Sequence, residues 1–356
     1  MSAPPRLSRR ERAAVLRRFG ARDDDLDALL DYTDNPFDPT SPLLAADEPH
    51  VVDWRRYAEQ AKARGGASAL AGVVPQVRFP IGRDVAATDA YFRATRLGDS
   101  TTSGPAPPFL GKVEIDLHPT PAGRLPYVAF EQRDDFVRAV RSVLHRNAPE
   151  PVPSTMGAVL VSGFNNWDRV DRYRARWLAE GGNPSCWPLV FADMRARPEL
   201  YQDRFALVSR GPYGGLDSGL EGLSSHEWES TSLALRLHHE AAHYYCRRVL
   251  GAMRSNLLDE WIAESYAVVS ATVQNPAAWV RALLTDERTG RAGSYVAPLS
   301  PPAGAVVVRL LHAVTQVMAW SEMRAPTSYA ESARLIRRFA AGTLEEQWLA
   351  NSDWAD

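Results

Sequence analysis

The stretch from Thr231 to Val273 constrains this chain most, because its polar residues recur at helical spacing in two consecutive segments. In Thr231–Leu250, His239 and His243 are four residues apart. Four residues turn an α-helix by about 400°, so both imidazoles leave one face, one turn apart. Glu240 lies between them, rotated by about 100°. Glu229 and Ser230 offer an acid and a capping hydroxyl at the start of this helix. Arg247 and Arg248 fall in its last turn, and Gly251 is placed to end it. A second helix is expected over Leu257–Val273, where Glu260 and Glu264 again stand four apart on one face. A turn at Gly251–Asn256 brings the second helix back beside the first.

Two imidazoles one helical turn apart can grip one metal ion, and Glu240 can then reach a water activated by that ion without ligating it. The pattern His239-Glu240-Ala241-Ala242-His243 is H-E-x-x-H. A shuffled chain of this length shows the bare pattern roughly once in a hundred. The following helix, with its carboxylates, adds the weight. Against the metal reading stands the plain one of a helix with two exposed or core histidines and a solvated glutamate.

From Ser230 to Val273 the sequence resembles the gluzincin branch of the H-E-x-x-H metallopeptidases. In several such families the third ligand lies in an E-x-x-A-[acid or amide] segment, whose second acid braces a ligating histidine. Glu260-Trp261-Ile262-Ala263-Glu264 has that form, with glutamate where aspartate is commoner. The resemblance implies Glu260 as third ligand and Glu264 as partner of His239 or His243. A second alignment sets Trp261–Glu264 against the W-L-N-E segment of gluzincin aminopeptidases and makes Glu264 the ligand. The resemblance further implies Zn2+ as cofactor, Glu240 as general base, and a peptide or small-molecule amide as substrate. It also implies an α+β, zincin-like fold: an α/β portion with a twisted sheet, followed by a mostly helical portion.

Two other readings stay open. Two histidines and one carboxylate are also the ligand set of non-haem Fe2+ enzymes that oxidise or modify a peptide or small molecule. A metallopeptidase-like scaffold can also serve as a non-catalytic binding module, although metal binding alone does not require Glu240. An oxyanion donor is expected among Tyr244, Tyr266 and His312, with Tyr213 and Tyr245 behind them; each has the competing reading of a core residue with a satisfied hydroxyl or ring. His238 points about 100° away from His239. Cys246 lies near the His239 face, where a buried free thiol is the simpler reading.

The rest of the chain gives organisation. Residues 1–65 read as a helical extension, with helices at Ser8–Phe19 and Asp23–Tyr32 and a break at Asn35–Pro42. Residues 66–225 read as the sheet-bearing part. Strands are expected at Val73–Phe79, Val113–Leu117, Gly157–Phe164, Pro188–Ala192 and Phe205–Ser209. Helices are expected at Asp134–Leu144 and Asp168–Glu180. Ser100–Pro108 and Gly211–Ser225 read as loops and Pro149–Pro153 as a linker. Residues 226–356 read as the helical metal-site part, with later helices at Ala305–Trp320 and Ser328–Ala340.

The net charge of −2 gives no push toward nucleic acid or an anionic membrane surface. No run approaches the roughly 20 apolar residues of a membrane span. The arginine-rich N-terminus lacks the apolar core of a secretory signal. Two cysteines are no disulfide framework, so a cytoplasmic enzyme is expected.

Overall fold

A computed structural model of the chain describes residues 4–99, 101, 109–215, 223–285 and 291–352. Most of the expected Ser100–Pro108 loop and the middle of the Gly211–Ser225 loop lie outside the described residues. The fold is mixed α and β. It forms two compact units, one of residues 46–119 and 123–211, the other of residues 1–45, 120–122 and 212–356.

The first unit holds a four-stranded sheet. Its strands are β1 (Val113–His118), β2 (Leu125–Phe130), β3 (Ala158–Asn165) and β4 (Gln202–Ser209), in the order β1-β2-β4-β3. β2 runs parallel to β4, and the outer pairings are antiparallel. Alternate residues (Val113 and Ile115, Val128 and Phe130, Phe205 and Leu207) share one face. They bury it against Trp54, Tyr57, Leu70, Phe136 and Val140 from the helices Val51–Arg64, Gly66–Val73 and Arg133–Leu144. Gly66 permits this approach: a Cβ there would lie 1.8 Å from the Val113 carbonyl oxygen. At the sheet's end, the buried Asp203 carboxylate accepts from Trp54 Nε1 at 2.8 Å and Asn166 Nδ2 at 2.6 Å, and pairs with Arg169 at 2.7 Å.

Three expectations are corrected here. Val73–Phe79 is no strand: Val73 ends a helix, and Pro75 opens a 3-10 turn over Pro75–Arg78. Val73, Val74 and Val77 are buried in the same core. Pro188–Ala192 lies in the helix Trp187–Arg195, where Pro188 takes a first-turn position that needs no N–H partner. β2 was not expected. Pro126 sits at its start, before the pairing with β4 begins at Tyr127, so the missing N–H breaks no ladder there.

The second unit is helical. Ser8 caps Arg9–Arg18 in a reciprocal box with Glu11, and Leu26–Tyr32 follows. The later helices include Ser225–Arg248, Leu257–Ser270, Pro276–Leu284, Arg291–Tyr295, Pro301–Val317, Tyr329–Phe339 and Leu344–Asn351. Ser225–Arg248 and Leu257–Ser270, called the motif helix and the glutamate helix below, pack against each other. The motif helix starts earlier than expected: Ser224, not Ser230, is the cap, in a box with Glu227. Gly251 follows its end in the left-handed conformation, at φ 78°. The glutamate helix buries Trp261 edge-on to Phe339, with ring centroids 5.6 Å apart. Among the described residues no helix is long and apolar enough to cross a membrane.

Candidate metal centre

The motif helix and the glutamate helix bring His239, His243 and Glu260 together in the interior of the helical unit. The His239 and His243 Nε2 atoms are 3.0 Å apart. Glu260 faces both, with Oε1 at 3.3 Å from His243 Nε2 and Oε2 at 3.7 Å from His239 Nε2. Donors held tetrahedrally around zinc at its usual bond lengths stand about 3.3 Å apart. The three separations, 3.0 Å between the imidazoles and 3.3 and 3.7 Å from them to the two different Glu260 oxygens, bracket that spacing. Two imidazole nitrogens and one carboxylate suit zinc or ferrous iron, so the residues present fit a metal by spacing and by chemistry.

Charge is concentrated here. Burial opposes ionisation of Glu260, yet His243, His239 and Arg291 hold its carboxyl well below the usual range. Burial likewise opposes charging His243, but Glu260 beside it holds the ring's pKa up, at about 9. The cluster thus keeps a proton on His243 against the Glu260 carboxylate, and a cation held there would have to displace it. Burial pushes the Glu240 carboxyl up, with Glu260 and Glu264 adding to it and the two histidines opposing.

Glu264 stands behind the triangle, not in it. Its Oε1 lies 3.4 Å from His239 Nδ1, the nitrogen facing away from His243. Its Oε2 accepts from the Tyr213 hydroxyl at 2.7 Å, and that hydroxyl also lies 3.4 Å from His239 Nδ1. Of the two glutamates, only Glu260 faces both Nε2 atoms.

Two participants carry no sequence signal. Arg291 pairs with Glu260 Oε2 at 3.3 Å and with Glu264 Oε1 at 2.7 Å. Tyr295, one turn further on, hydrogen-bonds Glu260 and Arg291 through its hydroxyl. Tyr213, a possible oxyanion donor by sequence, instead donates its hydroxyl to Glu264. Gly214 after it, at φ 59°, passes so near Leu283 that a Cβ would lie 2.3 Å from its Cδ2. Arg236 donates to the Pro212 carbonyl at 2.6 Å and lies over the Tyr213 ring.

The other sequence candidates point elsewhere. The Tyr244 ring lies beneath the Arg248 guanidinium. Tyr245 donates to the Leu43 carbonyl and accepts from Arg337. The Tyr266 hydroxyl is engaged by Ser270 and Ser332, and its ring is edge-on to His238. His312 pairs with Gln316 at 2.9 Å. Cys246 is a buried free thiol, raised by burial well above the usual range.

Fold and site together define a class: a mixed α and β protein with a buried two-histidine, one-carboxylate cluster on consecutive helices. The chain belongs to the Family of unknown function (DUF7005), which matches residues 14–347. That match takes in both compact units and the whole cluster. No curated protein and no solved structure matches the chain.

Proposed function

We propose that this chain is a metal-dependent hydrolase, metallopeptidase-like, cleaving a peptide or amide bond. The observation that carries the reading is the buried triangle of His239, His243 and Glu260, with Glu240 on the same turn of the motif helix. The helix pair, with its H-E-x-x-H and E-x-x-A-E segments, supports a gluzincin-like architecture for the site. His239 and His243 would hold the ion through Nε2, and Glu260 through its carboxylate. A bound zinc ion supplies Lewis acidity, which polarises a carbonyl and makes water acidic enough to lose a proton near neutral pH.

Glu240 takes the proton from water as its oxygen joins the carbonyl carbon. Glu240 then hands that proton to the leaving nitrogen as the C–N bond breaks. Burial of Glu240 keeps bulk water away from the transfer and raises its proton affinity above that of a free glutamate. Glu264 and Tyr213 fix the His239 ring from behind, so that Nε2 faces the cluster.

Elemental analysis of the purified full-length protein, with His243→Ala beside it, tests the site. About one zinc per chain in the wild type, lost in the variant, is expected. Glu240→Gln should keep the metal but lose about 10²–10⁴-fold in turnover on a diverse fluorogenic peptide library. Iron in place of zinc, with dioxygen-dependent chemistry, would replace hydrolysis by an oxidising reaction on the same ligand set. Metal bound and no turnover of any amide would leave a binding module. No metal in the wild type, even after incubation with zinc or iron, would end the metal reading.

A further inference from the structure

Three carboxylates, Glu240, Glu260 and Glu264, are buried within one small region of the helical unit. Glu260 and Glu264 share a helix face one turn apart, where like charges repel. Arg291, 31 residues beyond Glu260 in sequence, reaches both. One terminal nitrogen lies 3.3 Å from Glu260 Oε2 and the other 2.7 Å from Glu264 Oε1. Its side chain is only 12% exposed. One arm of the guanidinium hydrogen-bonds Glu260 and the other forms an ion pair with Glu264. Glu260 is left with Oε1 toward His243, and Glu264 with Oε2 toward the Tyr213 hydroxyl. Tyr295, on the same short helix as Arg291, adds a hydroxyl to Glu260.

We propose that Arg291 is a positioning residue, a fork that fixes Glu260 as the third metal ligand and Glu264 as the partner of His239, and so sets metal affinity. The inference rests on the metal reading above. Its physics is distinctive because two effects oppose each other. As a mere neighbouring cation, Arg291 would repel a divalent ion, and its removal would tighten binding. As a fork, it holds in place two carboxylates that otherwise repel, and its removal weakens binding. A lysine keeps the charge but not the planar pair of donors.

The test is zinc titration of metal-stripped, full-length protein against a chromophoric zinc chelator, with circular dichroism to check folding. Arg291→Met and Arg291→Lys are compared with the wild type. About a 10–100-fold loss of zinc affinity is expected in R291M, the range for removing an outer partner of a metal ligand. R291K should recover only part of it. The visible spectrum of the Co2+-loaded variants should shift, reporting an altered carboxylate ligand. Zinc bound by R291M as tightly as by the wild type, or more tightly, overturns the proposal. Full recovery in R291K also overturns it, because charge alone would then suffice. Loss of folding in R291K counts against it as well, since the lysine retains the charge that offsets the buried carboxylates. A wild type that binds neither zinc nor iron is a different result: it removes the metal reading itself.

Discussion

His239 is held through both of its ring nitrogens, one toward His243 and Glu260, the other toward Glu264 and Tyr213. On the proposed metal reading, that two-sided hold makes Glu260 the ligand and Glu264 its brace, and the two roles are measurable. Glu260→Gln should abolish tight zinc binding, because the third donor loses its charge. Glu264→Gln should weaken it by about 10–100-fold and leave the stoichiometry unchanged. Zinc titration of both variants decides: the reverse order would make Glu264 the ligand. Tyr213→Phe removes the 2.7 Å donor from a buried carboxylate and should cost about 1–3 kcal/mol, read from urea unfolding of the metal-free protein. At this scale the sequence discloses what lies on one helix. His239, Glu240 and His243 are legible because helical geometry alone brings them together, and Glu260 and Glu264 because their helix is the next one. Arg291 and Tyr295 are invisible because only tertiary packing carries a residue 31 positions away onto Glu260. Tyr244 differs: it follows His243 directly, but the helix turns it about 100° away, and its ring lies beneath Arg248 one turn further on.

Elements are set by their ends as much as by their faces. Ser224 accepts from the Glu227 N–H while Glu227 accepts from the Ser224 N–H, so two otherwise orphaned donors are satisfied. Ser230, expected as the cap, lies inside the helix on an exposed face. Ser224→Ala should therefore cost about 1 kcal/mol, and Ser230→Ala should be neutral or slightly stabilising. Urea midpoints of the two variants check this, and equal costs would refute the cap assignment. The S-x-x-E signature at Ser224 was in the sequence, but no strong apolar period follows it until Leu233, which drew the expected start inward. The sheet shows the complementary difficulty. Short apolar runs serve a helix, a turn or a strand equally well, and burial of Val73, Val74 and Val77 in the sheet's core makes this run apolar without a ladder. β1, β3 and β4 were legible because their runs lacked an early proline; Pro126 masked β2.

For the molecule as a whole, the first 45 residues are part of the unit that carries the His239, His243 and Glu260 cluster. Leu16, Leu29 and Leu30 are buried in it. Tyr32 accepts from the Leu257 N–H at the start of the glutamate helix and donates to the Tyr295 carbonyl, each at 3.0 Å. Arg12 joins the two ends of the chain. It pairs with Glu345 at 3.3 Å and donates to the Leu30 carbonyl and the Thr33 hydroxyl, each at 2.9 Å. The Glu345 side chain is fully buried, and burial raises its pKa, with Arg12 opposing. Arg12→Met leaves that carboxylate without its cation. The expected loss is about 3–5 kcal/mol at pH 8, the cost of breaking a buried pair by removing one partner. The sign of the pH dependence follows from the raised pKa. The folded protein then favours the protonated carboxyl more than the unfolded chain does, so stability returns as pH falls from 8 toward the ordinary glutamate value. Urea unfolding of the metal-free wild type and R12M at pH 8 and pH 5.5 should show the gap between them narrowing at the lower pH. A gap that stays constant would mean that Arg12 acts through its hydrogen bonds to Leu30 and Thr33 alone, and that Glu345 remains ionised or finds another cation.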